Sequence, residues 1–146
     1  MIIAMEQAGA GEFDVAKMIA EYMENGCLEN IIDMFKHDET LYTFVGDLLT
    51  DERMRVRIGT IALLEELKKK DPEKTKKSLP SILPLLNDQN PVARGDAAYS
   101  LGIVGDESIM PRLEVTLNDE DPNVRLIAKE AIDDIRNAPD PLLAVG

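Results

Sequence analysis

The chain has 146 residues and a formal net charge of −12 at pH 7, from 28 acidic and 16 basic side chains. One histidine, one cysteine and no tryptophan exclude an intrachain disulfide framework and any Cys-rich zinc site, and leave few ways to assemble an imidazole relay. With 45% apolar residues and a mean hydropathy of −0.16, the composition is that of an ordinary soluble protein able to build a core.

Residues 1–11 contain a short apolar stretch that Glu6 interrupts and no basic flank precedes. The expectation is a flexible N-terminus that neither targets the chain nor crosses a membrane, and a cytoplasmic location. Residues 12–38 read as two helices, DVAKMIAEYMEN and CLENIIDMFKHD, parted near Gly26. They form either a cap or a degenerate repeat.

From there the chain repeats itself. The segments LLTDERMRVRIGTIALLEEL, LLNDQNPVARGDAAYSLGIV and TLNDEDPNVRLIAKEAIDDI align, with aspartates at Asp51, Asp88 and Asp119. Arginine follows each aspartate six residues later, as Arg57, Arg94 and Arg125. Apolar residues precede each aspartate (Val45/Leu49, Ile82/Leu86, Leu113/Leu117) and follow it (Val56/Leu64/Leu67, Ala93/Leu101/Val104, Val124/Ile132/Ile135) at helical spacing. The register is 37 residues for the first step and 31 for the second, and the six extra residues fall in KKKDPEKTKK.

Each unit therefore reads as two antiparallel helices, over 40–70, 71–105 and 106–137. Asn90-Pro91 and Asp121-Pro122 place a capping side chain ahead of a proline at the first helical position. Gly105 ends a helix and Asp106 opens the next. Strand signals are absent. The remainder, 138–146, with Pro139 and Pro141, cannot continue a helix and reads as a tail. Its Leu142, Leu143 and Val145 either fold back over the last hydrophobic edge or stay mobile. The expected domain is thus one all-α unit spanning 12–137.

Charge is uneven: −8 over residues 1–50, +3 over 51–78 and −7 over 79–146. Phosphate backbones and anionic membranes are bound largely through Lys and Arg, so neither nucleic acid nor membrane is expected as a partner. The six lysines between Lys68 and Lys77 read as a solvated inter-repeat loop with cations at a helix carboxyl end. The alternative is a docking patch for an acidic partner.

These residues resemble the HEAT repeat family, in particular its HEAT-like subgroup found in phycobilin lyases. The likeness spans about residues 41–137 and is most specific in LPSILPLLNDQNPVARGDAAYSLGIVGDES. It implies an α-solenoid of stacked helical hairpins in a right-handed superhelix, with the second helices lining a concave face. It also implies a structural ladder of hydrogen bonds among Asp51, Asp88, Asp119, Arg57, Arg94 and Arg125. The first unit departs from the pattern, with Met54 where the others have proline.

By that geometry the concave face consists of Ile58, Ala62 and Glu65, then Gly95, Tyr99 and Gly102, then Leu126, Glu130 and Asp133. Ile58, Tyr99 and Leu126 in a row make this face less polar than a solvated helix face, as in a groove for a peptide or helix. The plain alternative is that short units bury more of the inner helix than a helical wheel suggests.

Asp119, Asp121, Asn123 and Glu130 match four positions of a calcium loop. Val124 stands where such a loop needs glycine, and the repeat register explains the same residues better. No phosphate loop, dinucleotide fingerprint or nucleophile elbow is present. Enzymes of similar architecture sharpen the contrast. Deoxyhypusine hydroxylases carry several His-Glu pairs, whereas His37 stands alone and precedes Asp38. HEAT-like DNA glycosylases present a basic face, whereas this face is acidic. His37 is expected at a helix carboxyl end and Cys27 as a small filler.

The sequence thus leads to a non-catalytic scaffold or adaptor that binds a protein or peptide, with no cofactor and no metal. The alternative is a lyase-like accessory subunit holding a cofactor-bearing protein. Either end of a short stack can self-associate, so oligomeric state stays open.

Overall fold

The computed structural model describes residues 14–139. The expected flexible segment 1–11 and most of the expected tail lie outside the described residues. All regular structure among the described residues is helical.

Helix α1 (Val15–Glu24) starts at Asp14, whose side chain accepts the Lys17 amide at 3.0 Å, and α2 (Leu28–His37) follows. The connection turns through Gly26, whose φ of +79° is in the left-handed region where a side chain is strained. A 3₁₀ segment, Glu39–Phe44, leads into α3 (Val45–Leu49), and α4 (Met54–Lys70) runs back. The next unit comprises α5 (Pro72–Thr75), a 3₁₀ turn (Lys76–Ser78), α6 (Leu79–Ile82), a second 3₁₀ stretch (Leu83–Asn87) and α7 (Pro91–Val104). The last unit has a 3₁₀ turn (Glu107–Ile109), α8 (Met110–Thr116) and α9 (Pro122–Arg136).

The two helices of each unit differ in kind. The second helices α4, α7 and α9 are unbroken, whereas the first helices are split into short α and 3₁₀ pieces. In the second and third units proline explains the splitting. Pro80, Pro84 and Pro111 each stand at the start of a new piece, because a proline inside a helix removes a donor and clashes with the carbonyl one turn back. The turn chemistry is local. The Asn90 side chain accepts the Val92 amide at 2.9 Å, and Asp121 accepts those of Asn123 and Val124 at 2.8 and 3.2 Å. Gly105 caps α7, and Asp106 accepts the Ser108 amide at 2.9 Å.

The Lys-rich stretch places cations at a helix carboxyl end as expected, but it is helical rather than a loop. Lys68, Lys69 and Lys70 form the last turn of α4, and the following residues open a helix. Asp71-Pro72 repeats the capping chemistry of Asn90-Pro91 and Asp121-Pro122: the Asp71 carboxylate accepts the Lys74 amide at 3.0 Å. Thr75 and Ser78 are then fully buried, with their hydroxyls on the carbonyls of Asp71 and Thr75. Three of the lysines are tied at the surface, Lys76 to Glu73 and Asp106, Lys77 to Glu39, and Lys69 to Glu66.

One continuous core links the helices from α1 to α9. Ile19, Ile31, Leu63, Leu64, Leu101 and Leu113 are fully buried in it, each worth about 1.5–3 kcal/mol relative to exposure. Phe35 meets Tyr42 edge to face at 5.1 Å between ring centroids. Helix α4 contacts α1, α2 and α3 on one side and α7 on the other, and α9 lies along α7. That order sets the three second helices side by side.

Candidate functional site

A groove follows the three second helices. Its first hollow, about 310 Å³, is walled by Ile58, Ile61, Ala62, Tyr99 and Ile127, with Gly95 and Asp96 at its base. Its second, about 750 Å³, continues past Tyr99, Ile103 and Ile127 to a rim where Glu65, Glu130 and Asp134 alternate with Lys68 and Lys69. Glu65, Tyr99 and Ile127 border both. Tyr99 and Ile58 remain 47% and 59% exposed. Two large apolar side chains in the wall of one groove form a patch of the kind that marks an interaction site.

The structure brings together seven of the nine residues the sequence assigned to this face: Ile58, Ala62, Glu65, Gly95, Tyr99, Gly102 and Glu130. Leu126 and Asp133 line neither hollow. Leu126 is 55% exposed, and Asp133 pairs with Lys129 at 3.4 Å on the surface of α9. Their places are taken by Ile127, Ala131 and Asp134. Strict repeat register assumes that every second helix presents the same stripe. Here α4 and α9 flank α7 from opposite sides, so each turns a different edge toward the groove. On α9 the lining passes from Leu126 and Asp133 to Ile127 and Asp134, one position on, while Glu130 keeps its expected place.

Close packing at α7 sets the groove's depth. A Cβ added at Gly102 would stand 2.9 Å from the Ala131 Cβ and 3.0 Å from its Cα, so glycine lets α9 approach α7 there. Asp96 was not singled out in the sequence. Burial among the surrounding side chains raises its carboxyl pKa, and Arg57, 3.9 Å away, opposes the shift. A short polar residue facing a stripe of Ile58 and Tyr99 was the available signal.

The Asp/Arg positions occupy the turns at one edge of the stack. In every unit the arginine donates to the carbonyl oxygen of its own aspartate: Arg57 to Asp51 at 2.8 Å, Arg94 to Asp88 at 2.9 Å and Arg125 to Asp119 at 2.6 Å. Only the second step joins the arginine of one unit to the turn aspartate of the next, Arg94 to Asp119. In the first step Arg57 approaches Asp96 rather than Asp88. The counterpart of Asp96 in the third unit is Ile127, which offers Arg94 no competing acceptor.

Asp51 is held instead by Arg53, a residue the repeat pattern did not point to. The guanidinium donates to both carboxylate oxygens at 3.0 and 3.1 Å and reaches Glu21 of α1 at 3.1 Å. The Arg53 hydrogen bonds hold the Asp51 carboxyl below its ordinary range. Arg53 stands at the position of Asn90 and Asp121 and does not cap its helix with its side chain. It ties the first unit to α1 instead.

Of the calcium-like residues, Asp119 and Asp121 are engaged in the turn, whereas Glu130 lies on the groove rim. Asp119 accepts from Arg94 and from the Asp121 amide, and Asp121 caps α9. Among the described residues no group of three or more His, Cys, Asp or Glu side chains is placed to hold a metal ion. His37 ends α2, with Nδ1 2.9 Å from the Asp33 carbonyl oxygen, and Cys27 precedes its first residue. About 15 Å of helix separates the two. Among the described residues no helix is long and apolar enough to cross a membrane.

Residues 79–144 match the family model for HEAT repeats. The matched segment covers α6 to α9, the part of the chain that builds one wall of the groove, and is just under half the chain. It supports the HEAT repeat family, and with the helix order above it gives an all-α helical repeat fold. A search of curated proteins returned no match.

Proposed function

We propose that this chain is a non-catalytic adaptor whose groove along α4, α7 and α9 docks a protein or peptide segment. One observation carries the reading: Ile58 and Tyr99 stay about half exposed in a groove walled largely by apolar side chains. A folded domain has little reason to leave such side chains adjacent and uncovered unless something docks there. Because each unit packs on its neighbours through the buried side of its helices, groove residues are free to serve recognition. We extend the repeat assignment to one domain over 12–137, with 12–38 as its cap or a degenerate repeat and 40–70, 71–105 and 106–137 as its repeats. Ile58, Ala62, Glu65, Tyr99 and Glu130, joined by Ile127, form the docking surface. Leu126 and Asp133 extend it beyond the hollows. The Asp/Arg positions are structural.

The same reading has no place for a cofactor or a metal, and nucleic acid does not suit a rim with three carboxylates and two lysines. The charge and composition suit a cytoplasmic protein. The resemblance to phycobilin-lyase-type repeats suggests, as the alternative, an accessory role toward a cofactor-bearing protein, with the 750 Å³ hollow as its place. Co-purification of a chromophore would favour that role.

The test is selection of binding peptides from a random library, followed by affinities for variants. Tyr99→Ala should weaken a selected peptide by about tenfold or more, with an unchanged melting temperature. Val115→Ala, an exposed apolar position on α8 outside the groove, should leave affinity unchanged. Equal affinities for both variants and the parent would show that the groove does not dock the peptide.

A further inference from the structure

The second hollow opens onto the chain's own continuation. Asn137, Ala138 and Pro139, the residues that follow α9, form part of its rim. The described residues therefore end at Pro139 on the rim of this hollow, and Asp-Pro-Leu-Leu-Ala-Val-Gly, residues 140–146, follow in the sequence. Seven residues reach up to about 23–25 Å when extended, enough to cross from α9 over α7 to α4, since packed helices lie about 8–10 Å apart. The segment carries Leu142, Leu143 and Val145, and a hollow of about 750 Å³ is large enough for several such side chains. Asp140 is the segment's single ionisable side chain, so the residues after it offer the hollow only apolar side chains. The repeat match also runs past the end of α9 to residue 144, through both leucines.

We propose that residues 141–145 of this chain seat in the hollow between α4, α7 and α9, with Leu142 and Leu143 against Tyr99, Ile103 and Ile127. The seated tail covers the exposed ring of Tyr99 and leaves the smaller hollow around Ile58 open. Its effect as a competitor of an incoming segment rests on the docking function proposed above. The seating itself does not.

Paramagnetic broadening in the whole chain tests it. Cys27→Ser removes the only native thiol, and Val145→Cys supplies one for a nitroxide. The expected result is loss of amide signals at Glu65, Tyr99 and Gly102, on helices remote in sequence from the label. A second sample carrying Leu142→Ser and Leu143→Ser should recover those signals while its other resonances stay in place. Broadening confined to the end of α9 would overturn the proposal. So would broadening at Tyr99 that persists without the two leucines. Peptide affinity of the parent chain is read separately, so a failure of tail seating and a failure of groove docking give different results.

Discussion

Arg94 and Asp119 form a two-pronged ion pair across the junction of the second and third units, with Nε and Nη2 at 2.8 and 3.0 Å from the two carboxylate oxygens. Their side chains are 11% and 9% exposed, the least of any ion pair among the described residues. The remaining Arg94 nitrogen donates to the carbonyls of Asp88 and Gln89, so one guanidinium closes its own turn and grips the next.

Removing either partner leaves the other under-solvated and unpaired, which costs more than the pair itself contributes. Arg94→Ala should lower the melting temperature by on the order of 5 °C. Lys129→Ala, which breaks an exposed pair on α9, should change it little. Thermal denaturation of both variants checks this. The Arg94 hydrogen bonds lower the Asp119 pKa, so the pair's contribution is present above the ordinary carboxylate range and lost as pH falls below it. Arg94→Ala should therefore flatten the acid limb of the stability profile.

A second pH effect belongs to Asp106. Hydrogen bonds from Ser108, then the Lys76 ammonium at 2.9 Å, hold its pKa at about 2. The folded value lies below the unfolded one, so its contribution is complete above about pH 4 and disappears between there and about 2. Because Asp106 is partly exposed, solvent screening limits that contribution to on the order of 1 kcal/mol. Asp106→Asn should destabilise at pH 6 and make no difference near pH 2, as read from urea midpoints at both values.

Gly102 governs how closely α9 lies on α7. Gly102→Ala would gain up to about 1 kcal/mol in helix propensity, but the Cβ falls inside contact distance of Ala131, and overpacking costs about 1–3 kcal/mol. Net destabilisation is expected. Ala131→Gly in the same chain should restore part of it, because the closest clash is between the two Cβ atoms. A double-mutant cycle in urea measures the coupling.

The core follows the usual rule. Leu101 of α7 is fully buried, and Leu101→Ala should cost about 2–5 kcal/mol by loss of transfer energy and creation of a cavity. Urea denaturation gives the value directly.

Much of this architecture could be read from the sequence because its signals are local. Asn90-Pro91 and Asp121-Pro122 announce helix starts through capping chemistry that needs no tertiary context. The same signal was present at Asp71-Pro72, but the surrounding lysines suggested a solvated loop. The repeat pattern located the turn arginines, yet could not choose the acceptors of their side chains. That choice depends on Asp96, whose counterpart in the third unit is Ile127, and on Arg53, which stands where the other units have Asn90 and Asp121. The groove was legible on α4, on α7 and at Glu130, whereas Leu126 and Asp133 of α9 were each one residue from the lining positions Ile127 and Asp134. Sequence register carries no information about which flank of a helix its neighbour covers.

The docking groove itself is tested most directly by site-specific photocrosslinking in cells. A photoreactive phenylalanine is placed at Ile58 in the groove or at Val115 on α8, and each adduct is identified by mass spectrometry. The account predicts a discrete protein adduct from position 58, absent from position 115. Tyr99→Ala should abolish it without changing the melting temperature, and should weaken the purified partner's affinity by the same substitution. An adduct formed equally from position 115, or one from position 58 that Tyr99→Ala leaves unchanged, would contradict it.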